Sequence, residues 1–73
     1  MYELQIERVA EKETKRLPPP MFGRVAAAIA VLKESPRPHR AVKLAGSLND
    51  WRIRIDDYRV IYEIDDEAKR VRV

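Results

Sequence analysis

Trp51-Arg52-Ile53-Arg54-Ile55-Asp56-Asp57-Tyr58-Arg59-Val60-Ile61-Tyr62 carries the strongest structural signal in the chain. Apolar and charged side chains alternate on both sides of Asp56-Asp57, the signature of half-buried strands. A two-residue turn at Asp56-Asp57 sets Ile55 opposite Tyr58, Arg54 opposite Arg59, Ile53 opposite Val60 and Arg52 opposite Ile61. Opposed residues of an antiparallel pair share a face. Trp51, Ile53, Ile55, Tyr58, Val60, Tyr62 and Ile64 are therefore expected on the core face, and Arg52, Arg54 and Arg59 on the other. Like charges directly opposite cost up to ~1 kcal/mol and give a small protein nothing structural. An anion between them removes the tension, because arginine forks bidentately onto phosphate oxygens. On spacing alone, that reading and one of three solvated surface arginines stand level; Glu63 or Asp57 could offset one of the charges.

Working outward, Val42 and Leu44 suggest a short strand before the hairpin, interrupted by Gly46. Asp65-Asp66-Glu67 reads as a second turn, and Arg70-Val71-Arg72-Val73 as the start of another strand. Towards the N-terminus, Met21, Val25, Ile29 and Leu32 recur at helical spacing, with alanines that favour a helix and permit close packing on a sheet. Pro20 can open this helix and Ser35-Pro36-Arg37-Pro38 stops it. A shorter helix is expected between Arg8 and Leu17, ended by Pro18-Pro19-Pro20. Tyr2, Leu4 and Ile6 alternate with Glu3, Gln5 and Glu7 as a first strand. The order β-α-α-β-β-β predicts an α+β domain: an N-terminal strand, a two-helix hairpin, then an antiparallel sheet that the helices cover on one face.

Seventy-three residues, 1–73, make a single domain. A chain of this size buries only about 60% of its unfolded surface, so its core is small. It has no cysteine, which removes disulfides and thiolate metal sites and fits a cytoplasmic protein. No apolar run is long enough to span a bilayer, and no signal peptide is visible. The net charge of +3 tilts towards an acidic partner. Between Arg37 and Arg54 the bases are Arg37, Arg40, Lys43, Arg52 and Arg54, against the single acid Asp50. His39, the one histidine, suits acid–base work, but it sits between Pro38 and Arg40 in a loop where a solvated imidazole is the commoner case. The paired acids Asp56-Asp57 and Asp65-Asp66 are read as turn formers and not as metal ligands.

Lys43-Leu44-x-Gly46, Trp51-Arg52-Ile53-Arg54-Ile55 and Asp57-Tyr58-Arg59-Val60-Ile61-Tyr62-Glu63-Ile64 together resemble the core motif of the RelE/ParE superfamily of type II toxin–antitoxin toxins. Leu32-Lys33-Glu34-Ser35-Pro36 is similar to the end of that family's second helix. The resemblance implies a β-α-α-β-β-β fold and a RelE-like, ribosome-dependent messenger-RNA endoribonuclease that inhibits translation without a metal or other cofactor. It implies a cognate antitoxin that forms a hetero-oligomer with the toxin, besides the ribosome and mRNA as partners. Two further readings stand beside it: a ParE-like toxin that poisons gyrase, and a catalytically impaired module that only binds antitoxin. By the resemblance Arg52, Arg54 and Arg59 are the catalytic residues: Arg52 and Arg54 hold RNA and take part in proton transfer, Arg59 stabilises the charged phosphate, and Arg37, Arg40 and Lys43 contact the RNA backbone or ribosomal RNA. Two departures concern chemistry: arginine is a poor general base, and Asp57 stands where the family often has a turn glycine. A third is the C-terminal end, where the family continues into a basic residue and a tyrosine of the active site; this sequence stops at Val73.

Overall fold

The computed structural model describes residues 1–73. Seven elements follow in order: β1 (Glu3–Gln5), α1 (Arg8–Lys15), α2 (Pro19–Val31), β2 (Val42–Lys43), β3 (Asp50–Ile55), β4 (Tyr58–Asp65) and β5 (Arg70–Arg72). The strands form one five-stranded sheet in the order β1-β5-β4-β3-β2. This is the expected α+β layout with two corrections: the order is β-α-α-β-β-β-β, five strands where β-α-α-β-β-β counts four, and the sheet is mixed, because β1 runs parallel to β5. From β2 to β5 each strand is antiparallel to the one before it, and β5 closes the sheet alongside β1 in the same direction. β1 is fastened there by its own ladder and by Glu3 N–H to the Lys69 carbonyl (2.7 Å), Val73 N–H to Gln5 (2.8 Å) and Glu7 N–H to Val73 (2.9 Å).

The helices form where expected, with small shifts at their ends. α1 stops at Lys15, two residues short of Leu17, and the Leu17 amide closes the turn on the Thr14 carbonyl. α2 begins at Pro19 instead of Pro20; either proline suits a first turn that has no use for an N–H. Val25, Ile29 and Leu32 of the predicted stripe are buried against the sheet, and Met21 packs at the margin. α1 contributes no buried residue, so the core is a contact between α2 and the sheet.

Nine buried apolar residues make that core: Val25, Ile29 and Leu32 beneath Ile53, Ile55, Val60, Tyr62, Ile64 and Val71. Each such side chain is worth about 1.5–3 kcal/mol in removal from water. Two residues assigned to the core by alternation sit at its edges. Trp51 is half-buried, with the Arg37 guanidinium 5.1 Å from its ring centroid. Tyr58, the first residue after the hairpin turn, is 38% exposed.

A polar cluster ties the loops together at the sheet end opposite the Asp56-Asp57 turn. The Tyr62 hydroxyl, 2% exposed as a residue, donates to the Pro36 carbonyl at 2.7 Å. Arg37 meets Asp66 at 2.8 Å, and the Tyr2 hydroxyl donates to the same carboxylate at 2.7 Å. Hydrogen bonds from Arg37 and Tyr2 hold the Asp66 carboxyl below the usual carboxylate range, while the bond to Asp66 raises Tyr2. Burial raises the Tyr62 phenol. No helix is long and apolar enough to cross a membrane.

Tyr62→Phe deletes the one donor to the Pro36 carbonyl while keeping the ring. The expected loss is about 1–3 kcal/mol for the stranded acceptor, or several degrees of melting temperature in a domain this size. Thermal unfolding followed by far-ultraviolet circular dichroism measures it.

Candidate nucleic-acid interface

The β3–β4 register is the one read from the sequence, with Ile55 opposite Tyr58, Arg54 opposite Arg59, Ile53 opposite Val60 and Arg52 opposite Ile61. The turn is therefore two residues long. Its left-handed residue is Asp56 (φ 53°), so the conformation that a turn glycine would serve falls one position before Asp57.

Hydrogen-bond parity then sorts the cross-strand pairs. The Leu44 amide donates to the Asp50 carbonyl and the Ile64 amide to the Asn49 carbonyl, so even-numbered β3 residues turn their backbone groups to β2 and odd-numbered ones to β4. Arg54–Arg59 is consequently a non-hydrogen-bonded pair, the kind in which side chains stand closest, about 4.5–5.5 Å between Cβ atoms. Both are exposed on the face away from the helices, and Arg52 is half-exposed on the same face beside Ile61.

The charge on this outer face is divided. Towards β5 and β1 every basic side chain has an acid: Arg70 with Glu3 at 3.2 Å, and Arg72 with Glu63 at 2.7 Å and Glu7 at 3.5 Å. Towards the turn, none of Arg52, Arg54 and Arg59 is in a salt bridge. Glu63, read as an offset for one of them, is taken by Arg72, and Asp50 accepts from the Ser47 hydroxyl at 2.9 Å. Arg54 makes one internal contact, from Nε to the Asp56 carbonyl at 3.1 Å, which fixes the guanidinium without neutralising it. The result is a patch of three uncompensated guanidiniums around one short hairpin.

The other expected RNA contacts do not gather on this face. Arg37 is spent on Asp66 and Trp51 at the far end of the molecule. Lys43 is opposite Trp51 in β2 and so shares the helix-side face. Arg40 and His39 are together at the rim of a separate groove between α2 and the free edge of β3. Sequence reading missed Arg24, which reaches from α2 to grip the Asp56 carboxylate through both terminal nitrogens. The signal was present: Arg24, Ala27, Ala28 and Val31 fall at helical spacing on a second face of α2, displaced from the core stripe.

Residues 4–73 match the family described as ParE toxin of type II toxin-antitoxin system, parDE. The chain belongs to this family of toxins, within the RelE/ParE superfamily. Among solved structures it is similar to the archaeal RelE–RelB complex from Pyrococcus horikoshii OT3, at 28% identity and a TM-score of 0.86, over 97% of this chain and 86% of that one. It is also similar to the E. coli RelBE toxin-antitoxin complex, at 28% identity and 0.84, over 100% and 90%. The RelBE2 complex from Mycobacterium tuberculosis matches at 25% and 0.82, over 97% and 89%. No curated protein sequence matches the chain.

With three phosphates neutralised, binding of a single-stranded oligoribonucleotide should show a log–log salt slope near −2, from about −0.7 per contact. Arg59→Ala should lower that slope by roughly 0.7 and leave the circular dichroism spectrum unchanged, since the side chain is outside the core. Fluorescence anisotropy over a salt series measures both.

Proposed function

We propose that this toxin is a RelE-like endoribonuclease that cuts messenger RNA on the ribosome and thereby inhibits translation. The observation that carries the reading is the set of three uncompensated arginines, Arg52, Arg54 and Arg59, on the outer face of the β3–β4 hairpin. A cognate antitoxin is the expected protein partner in a toxin–antitoxin hetero-oligomer, in keeping with the RelE–RelB complexes that the chain resembles.

In the reaction proposed, the ribose 2′-oxygen attacks the adjacent phosphorus, the bond to the 5′-oxygen breaks, and a 2′,3′-cyclic phosphate and a 5′-hydroxyl result. The 2′-hydroxyl gives up a proton and the leaving 5′-oxygen takes one. Charge accumulates on the non-bridging oxygens, and in this reading Arg54 and Arg59, paired in the register, fork onto them. Preorganised cationic donors of this kind typically contribute 10²–10³-fold in rate. Arg52, one pleat further along, extends the grip to a neighbouring phosphate. Guanidinium stays protonated at working pH, so these residues bind and stabilise but do not serve as a general base. His39 is off this face. The division of labour assigns phosphate stabilisation to the hairpin and proton transfer to groups outside it, with the ribosome as the expected setting.

The family description itself favours a second reading, a ParE-like toxin that acts on gyrase. Programmed ribosomes, with mRNA ends mapped by primer extension, separate the two. The expected result is cleavage within the A-site codon, reduced at least a hundredfold by Arg59→Ala. Intact mRNA together with inhibited gyrase supercoiling would establish the second reading, and intact mRNA with gyrase unaffected would leave antitoxin binding as the retained activity.

A further inference from the structure

β2 covers β3 only opposite Trp51 and Arg52, so the β3 edge is open from Ile53 to Ile55. By the parity derived above, Arg54 turns its backbone N–H and C=O outward at that open edge. The loop alongside does not take them up: Ala41 N–H bonds to the Pro38 carbonyl instead of continuing the ladder. Beside this edge is a groove of about 480 Å³. Its wall is apolar, from Ala27, Ala28 and Val31 of α2 and from Ile53 and Ile55 of β3. Its rim is cationic, with Arg24, Arg40 and Arg54, and His39 next to Arg40. Asp56, which follows Ile55, is held by Arg24.

We propose that this groove seats the nucleotide next to the phosphate held by the hairpin, so that single-stranded RNA wraps over the β3 edge. The proposal rests on the RNA reading above and extends it to a second subsite. Arg54 joins the two: its guanidinium is on the outer face and its backbone donor and acceptor are at the mouth of the groove. An unpaired strand residue offers adjacent N–H and C=O groups that match the donor–acceptor edge of an unstacked base. The aliphatic wall receives the base face, and Arg40, which has no acidic partner among the salt bridges, meets the following phosphate. Charge complementarity selects a polyanion, and continuity with the arginine face selects RNA over an acidic peptide strand. The arrangement reads backbone geometry and one base edge, which fits recognition of a single-stranded segment and not of a duplex.

The test is an NMR titration of the full chain with a 2′-O-methylated tri-adenylate, which cannot be cleaved through its 2′-oxygen. The proposal expects amide shifts at Ala27, Val31 and Arg54 as well as around Arg59. Ala27 is exposed on α2, so Ala27→Glu keeps the helix while blocking the groove; it should weaken binding about tenfold. Ala30→Glu adds the same charge to the same helix outside this groove and should change affinity less than twofold. Shifts confined to the arginine face, with Ala27→Glu binding like Ala30→Glu, would overturn the second subsite and leave the RNA reading intact. Absence of any shift would overturn both. Groove shifts produced by an acidic peptide and not by the trinucleotide would assign the groove to a protein partner and overturn the proposal.

Discussion

The constraint on which the molecule depends is the register of β3 against β4, set by a two-residue turn at Asp56-Asp57. Because side chains alternate with a period of two, one register places Ile53, Ile55, Val60, Tyr62 and Ile64 under α2. A slip by one residue would bury the arginines and expose the core. The same register forces Arg54 and Arg59 into the closest class of cross-strand pair. Burial and charge crowding are thus two consequences of one alignment. The energy gained on the helix side, several buried apolar side chains at about 1.5–3 kcal/mol each, outweighs the ~1 kcal/mol or less lost to repulsion on the other.

That imbalance explains how a small domain can tolerate a face tuned for something other than stability. Towards β5 and β1 the sheet pairs its charges: Glu3, Glu7 and Glu63 are all engaged by Arg70 and Arg72. The turn end is the exception. Asp56 is directed to Arg24 on the helix side, and only its carbonyl meets Arg54. Neither turn acid is in a salt bridge with Arg52, Arg54 or Arg59.

Much of this was legible in the sequence, and what was not has definite physical causes. Alternation is a local property, so the hairpin register, the face assignments and the α2 stripe could all be read from neighbouring residues. The parallel placement of β1 could not, because it follows from pairing across nearly the whole length. Arg37 looked like one more cation in a basic stretch. Its commitment to Asp66, 29 positions away, and to Trp51 depends on loop closure that no local pattern encodes. Lys43, in a strand of two residues, carries no local sign of its pairing with Trp51, which sends it to the helix-side face. Tyr58 kept its predicted face but not its burial, because alternation says which way a ring points and not how much of it is covered.

In this reading the arginine pair gives up hairpin stability for anion binding. Thermal unfolding of the protein and of Arg59→Thr, each with and without an oligoribonucleotide at low salt, tests it most directly. The variant alone should melt higher by up to a few degrees, since a repulsion of up to ~1 kcal/mol is removed, and RNA should raise the melting point of the wild type more than that of the variant. A variant that melts lower than wild type, or that RNA stabilises equally, would contradict it.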